Sequence, residues 1–296
     1  MTVAELTATR SRAADLLDLT KPRLSLLVLL SAAVGMAIAP AAMPSWPRAV
    51  AALLAIGAVV GGANALNCYR ERETDKAMRR TRTRPLPAGR LEPATALVFG
   101  LALVIAGTAV LFVLQPLAGV LAVIAAASYV LVYTPMKRVS SLCTIVGAVP
   151  GALPPLIGWT VASGQLDAGA WVFFAWMFLW QPPHFLALAT LYREDYEAAG
   201  MPMLPVRHPA DGTVERQTAY WIALLLPVPL LLVPLSRAGA VTAVVTPLLG
   251  LAFLWTALRG RATGATTEWA RGVFVASILY LGLSLLAFVL DAGSSG

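Results

Sequence analysis

Asn67, Glu71 and Asp75 follow one another at four-residue spacing. On an α-helix that spacing sets them about 40° apart in succession on one face, and Asn64 falls within the same arc. One helix end therefore offers two amides and two carboxylates along about three turns. Carboxylates stacked in this way repel each other by roughly 0.2–0.5 kcal/mol per pair, and a bilayer nearby raises that cost. A divalent cation removes both penalties. Hard oxygen ligands suit Mg²⁺, which is usually held by one or two carboxylates and completed by substrate phosphates. Lys76, Arg79, Arg80, Arg82 and Arg84 follow before the Pro85 stop, and their side chains can contact the same phosphate oxygens. The segment reads as a diphosphate–metal site, with Asn67, Glu71 and Asp75 as metal ligands. The plainer alternative is a charged juxtamembrane loop with internal ion pairs.

Two further groups complement it. Tyr133-Thr-Pro-Met-Lys137-Arg138 ends one apolar run with two cations, and Arg193-Glu194-Asp195 ends another with two carboxylates. Two acid-bearing helix ends can clamp a diphosphate, with Lys137, Arg138 and Arg193 neutralising it and Asp195 offering a second metal contact. His184 follows Pro182-Pro183 within an apolar run. It reads either as an interhelical hydrogen-bond partner or as a ligand. Trp159, Trp171, Trp176 and Trp180 could wall a flat aromatic acceptor, or serve in packing and the interface belt.

The elements that must position these groups follow from composition. Of 296 residues, 58% are hydrophobic and only 12% are charged, about half the charge of a soluble domain. Lipid is therefore the solvent for most of the chain. Backbone in hydrocarbon must satisfy its own hydrogen bonds, and the absence of period-2 alternation excludes a barrel, so the fold class is all-α integral membrane. Nine transmembrane helices are expected at about 24–42, 48–69, 93–113, 115–134, 141–161, 169–191, 217–236, 239–258 and 272–290, surrounding a central substrate cavity. The domain reading is a cytoplasmic segment over 1–23, one membrane domain over 24–290 and a tail over 291–296. With the N-terminus in the cytoplasm, 20 of the 22 Lys and Arg residues fall on that side and only Arg48 and Arg237 outside. Thirteen of the 15 acidic residues share the cytoplasmic side, a bias that topology does not require.

Several function classes are excluded or disfavoured. The basic residues are spread over membrane-flanking loops, so no nucleic-acid surface forms. Cys68 and Cys143 lie far apart, without a CxxC pattern, which argues against disulfide, zinc or covalent haem attachment. The first 20 residues lack the apolar core of a secretory signal. A transporter would carry charges near the bilayer midplane, whereas these sit at one face. A bis-histidine cytochrome needs paired histidines, and only His184 and His208 exist.

The motifs together resemble a known family. Asn67-x₃-Glu71-x₃-Asp75, followed by Arg79-Arg80-Thr-Arg-Thr-Arg84-Pro85-Leu, resembles the first acidic motif of the UbiA superfamily of intramembrane prenyltransferases. Thr20-Lys-Pro-Arg23, Tyr133–Arg138, Trp180-Gln-Pro-Pro-His-Phe185, Arg193–Pro205 and Ala270–Tyr280 resemble its protoheme IX farnesyltransferase (haem O synthase) branch. The similarity runs from about residue 15 to 290. Glu stands at 71 and 73 where the superfamily more often has Asp, and Ala199 stands four positions after Asp195, so the second motif is incomplete. The resemblance implies an Mg²⁺-dependent enzyme that transfers a farnesyl group from farnesyl diphosphate to a vinyl group of haem B, giving haem O. It implies catalytic roles for Asn67, Glu71, Asp75, Lys137 and Arg138. Substrate contacts are expected from Asn64, Arg79, Arg84, Tyr133, His184, Arg193, Glu194 and Asp195. A bacterial inner membrane is implied, with haem A synthase or another haem-handling protein as partner. Its nearest rival is a UbiA-type enzyme acting on an aromatic quinone precursor or a chlorophyllide.

Overall fold

The computed structural model describes residues 11–294, and what was expected of 1–10 and 295–296 lies outside them. The described residues fold into fourteen helices and no strand. They are α1 (Arg12–Leu19), α2 (Pro22–Ile38), α3 (Trp46–Ala77), α4 (Pro93–Leu114), α5 (Pro116–Met136), α6 (Cys143–Ser163) and α7 (Ala168–Leu191). The second half holds α8 (Arg193–Ala198), α9 (Leu204–Arg207), α10 (Thr213–Leu225), α11 (Val228–Leu232), α12 (Ala240–Leu258), α13 (Gly260–Thr263) and α14 (Thr267–Ser294). Local signals set the boundaries. Proline occupies the first turn of α2, α3, α4 and α5, where its missing N–H costs nothing, and Asp167 caps α7 by accepting from Ala170 N at 2.9 Å.

Seven helices, α3 to α7, α12 and α14, are long and apolar enough to cross a membrane. The pair α1–α2, bent by 48°, makes an eighth by the same measure. The expected count of nine unbroken spans is not reached among the described residues. The run at 217–236 divides into α10 and α11, because Pro227 and Pro229 cannot donate to the helix ladder. An apolar exterior, including Val113, Leu24 and Leu248, is left for lipid to cover. The chain is a multi-pass membrane protein.

Close packing fixes the bundle. Gly62 of α3 and Gly100 of α4 lie against each other's backbone carbonyls, so a Cβ at either would collide. α2 packs on α6, α6 on α5 and α7, and α7 on α14. Pro150, Pro154 and Pro155 inside α6 and Pro182 and Pro183 inside α7 are tolerated because neighbouring helices surround them. Between α2, α3, α5, α6, α7 and α14 lies a cavity of about 360 Å³.

Candidate functional site

The charged end of this cavity is built on the last turns of α3. Asn67, Glu71 and Asp75 are all buried on the inward face, as the four-residue spacing predicts, whereas Glu73 turns outward to pair with Lys76 at 2.7 Å. Glu71 and Asp75 line the cavity together with Asn64. Asn64 is held in place from two sides, donating to Thr20 O at 3.2 Å and accepting from Tyr129 Oη at 3.3 Å.

Three cations converge on these groups. Lys137 Nζ lies 2.8 Å from Glu71 Oε1, Arg84 donates to Asp75 Oδ2 at 2.9 Å, and Lys21 Nζ donates to Asn67 Oδ1 at 2.8 Å. Burial works against the charge on Lys137, yet Tyr133 and Glu71 beside it outweigh that cost and hold its pKa well above the ordinary lysine value. Burial likewise opposes Arg84, and the Asp75 carboxylate reverses the effect and raises its pKa. Lys137 and Arg84 therefore stay charged beside two buried carboxylates.

Local backbone irregularities aim two of the cations. Residues 128–133 of α5 form a turn of π-helix, the kind of single-turn insertion that recurs at functional sites. It precedes Lys137, whose Nζ sits 4.6 Å from the centre of the Tyr133 ring. Lys21 stands at the bend between α1 and α2 with φ of +50°, the one left-handed non-glycine residue among the described residues. That conformation is disfavoured for a side chain bearing a Cβ. Here it turns the ammonium inward onto Asn67. Sequence reasoning did not place Lys21 in the site. The signal available was its position directly before Pro22, which pushes a residue out of the helical region.

Other expected residues divide. Tyr133 and His184 line the cavity. Arg138 is exposed and donates to Arg70 O at 3.1 Å, away from the cavity. Arg193 is exposed, and Arg79 reaches exposed Glu194 at 3.9 Å across the surface. Asp195 is buried, but its oxygens accept from the backbone N–H of Arg79 at 3.0 Å and of Arg80 at 3.4 Å. The second acidic region thus braces the loop that follows α3. Arg80, one of the cations that follow the acidic stripe, lines the cavity and lies over the Tyr192 ring, with its guanidinium donating to Tyr196 Oη at 2.9 Å.

The donor set is suited to a hard divalent cation. Asp75 Oδ1 is buried without a hydrogen-bond partner, and Asn67, Glu71 and Asp75 present only oxygen ligands. Among the described residues no cluster of three His, Cys, Asp or Glu side chains forms. The arrangement matches an ion that takes part of its coordination from substrate phosphates rather than a fully protein-built cage.

Away from the charged end the cavity becomes apolar and aromatic, with Pro154, Met177, Trp180, Phe185 and Leu188 in its wall. Of the four tryptophans considered from sequence, only Trp180 lines it. Trp159 and Trp176 are sealed in the core and Trp171 faces outward.

Comparison with known proteins agrees with this architecture. The UbiA prenyltransferase family model matches residues 28–279. A protein from Anaeromyxobacter sp. (strain Fw109-5) named protoheme IX farnesyltransferase is 50% identical over 95% of this chain and 94% of its own length. A protein of the same name from Myxococcus xanthus (strain DK1622) is 46% identical over 94% and 95%. A UbiA homologue from Archaeoglobus fulgidus, solved bound to DMAPP and Mg²⁺, shares the fold with a TM-score of 0.69 at 16% identity, over 93% of this chain and 99% of that one. The chain belongs to the UbiA prenyltransferase family.

Proposed function

We propose that the chain transfers the farnesyl group of farnesyl diphosphate to a vinyl group of haem B, producing haem O and diphosphate, on the cytoplasmic side of a bacterial inner membrane. The observation that carries the reading is the two-ended cavity, with Lys21, Glu71, Asp75, Arg84 and Lys137 at one end and an apolar aromatic wall at the other. The acceptor follows from the name shared by relatives 46–50% identical to this chain along almost their whole length. The membrane domain is taken as 24–290, with 1–23 and 291–296 as its cytoplasmic start and its tail. Haem A synthase or another haem-handling protein is the expected recipient of the product, and membrane lipid surrounds the apolar exterior.

In this mechanism Asn67, Glu71 and Asp75 hold Mg²⁺, an assignment supported by the unpartnered Asp75 oxygen and by the Mg²⁺ and DMAPP bound in the Archaeoglobus homologue. When bound, the ion acts as a Lewis acid on the leaving group. Lys137 and Arg84 then contribute fixed positive charge where the diphosphate oxygens collect electrons as the allylic C–O bond breaks. Lys21 joins them once its hydrogen bond to Asn67 is exchanged for one to phosphate. The exposed Arg79, Arg138 and Arg193 add positive charge to the surface, steering the polyanion inward, and Glu194 pairs with Arg79 there. The apolar wall keeps water from the allylic cation. The vinyl carbon bonds to the farnesyl terminus, and water adds afterwards to give the hydroxyethylfarnesyl group.

The test is an acceptor panel. Membranes containing the protein are given farnesyl diphosphate and Mg²⁺ with haem B, 4-hydroxybenzoate or a chlorophyllide, and the products are identified by mass spectrometry. Prenylated haem is expected. Prenylation of either other acceptor in its place would overturn the assignment.

A further inference from the structure

His184 is set into the aromatic end of the cavity by contacts that determine the state of its ring. The imidazole lies between Trp180 and Phe274, with ring centres 4.8 Å away on each side and near-parallel planes. Its Nδ1 is 2.8 Å from Ser277 Oγ. The Ser277 hydroxyl already donates its single proton to Phe274 O at 2.6 Å, so at Nδ1 it can only accept. The proton of the neutral imidazole is thereby fixed on Nδ1, and Nε2 is left with its lone pair. No hydrogen bond engages Nε2 among the described residues, nor is it among the buried polar atoms sealed off without a partner. Trp180 donates to Ser277 O at 2.8 Å, which ties α7 to α14 at the same level.

A neutral imidazole with Nδ1–H held by an oxygen and Nε2 free is the arrangement that metal-binding histidines require. A histidine serving only to join two helices has no need of cavity access or of flanking aromatic rings. We infer that His184 coordinates the iron of the haem substrate through Nε2, and that Ser277 is the positioning residue that fixes its tautomer. The inference rests on haem B as acceptor. It adds a defined anchor, because one axial bond restricts the porphyrin to rotation about the Fe–N axis, while Trp180 and Phe274 hold the ring that carries that bond.

The test uses the purified full-length protein in nanodiscs, titrated with ferric haem B and, separately, with metal-free protoporphyrin IX. Wild type is expected to give the absorption and electron paramagnetic resonance spectra of nitrogen-ligated haem. His184→Gly should lose that signature and regain it on addition of imidazole, while binding metal-free porphyrin as wild type does. Ser277→Ala keeps the imidazole and should weaken haem B binding roughly tenfold to a hundredfold, the usual loss for a partner behind a metal ligand, without affecting metal-free porphyrin. Identical haem spectra in wild type and His184→Gly without imidazole would overturn the inference and leave haem as acceptor. Ser277→Ala with wild-type affinity for haem B would remove the positioning role. Failure of wild type to bind either porphyrin would instead remove the acceptor assignment and the inference with it.

Discussion

Lys137 Nζ stands 2.8 Å from Glu71 Oε1, with only 15% and 6% of the two side chains exposed, so the cavity mouth is walled by a buried ion pair. Breaking such a pair from one side leaves an uncompensated charge and costs about 3–5 kcal/mol. Glu71→Gln and Lys137→Met should each lower the thermal unfolding midpoint. The double variant should recover most of that loss. Activity should behave differently, falling by about a hundredfold or more in all three, because the transition-state charge still lacks its partners. Recovery of turnover in the double variant would reduce the pair to a structural role.

Lys21 combines a left-handed backbone with an ammonium held on Asn67. Lys21→Gly and Lys21→Met both remove the charge, but only glycine relieves the backbone, which is strained by about 1–3 kcal/mol. Lys21→Gly is therefore expected to unfold at a higher temperature than Lys21→Met, with both variants showing a raised KM for farnesyl diphosphate. Equal stability of the two would contradict the strain.

Asp195 accepts from the N–H groups of Arg79 and Arg80. A capping role predicts that Asp195→Asn, which keeps an acceptor oxygen, has nearly the Mg²⁺ requirement of wild type. Asp195→Ala should lose about 1 kcal/mol, as for a lost cap. A large rise in the Mg²⁺ concentration needed by Asp195→Asn would make Asp195 a metal contact instead.

Gly147 of α6 lies directly against the Tyr133 ring, so a methyl group there collides with it. Gly147→Ala should displace Tyr133 and with it Lys137, lowering kcat more than it lowers stability, for which about 1–3 kcal/mol is the usual cost of overpacking. Titration of activity against thermal midpoint separates the two effects.

How much of this was legible in the sequence depends on distance along the chain. The α3 stripe was readable because Asn67, Glu71 and Asp75 belong to one helix, where spacing alone sets the face. Lys21 lies 46 positions from Asn67 and reaches it through a left-handed residue and a 48° bend, which apolar periodicity does not record. Lys137 and Arg138 look equivalent as adjacent cations. The π-helical turn before them and the packing around it send one inward and the other to the surface. Glu194 and Asp195 resembled a second acidic motif, yet their roles are fixed by the loop that folds back over them. The run at 217–236 read as one span because hydropathy averages across Pro227 and Pro229, which divide it.

The central claim is that the charged and aromatic ends of one cavity join a prenyl diphosphate to a haem. It is tested most directly by single-turnover mass spectrometry on the purified protein loaded with haem B and farnesyl diphosphate, with and without Mg²⁺, beside Asp75→Asn. The account predicts haem O and diphosphate from wild type with Mg²⁺, and unreacted haem B in its absence or from the folded Asp75→Asn variant. Haem O formed equally well by Asp75→Asn, or no farnesylated haem from wild type with Mg²⁺, would contradict it.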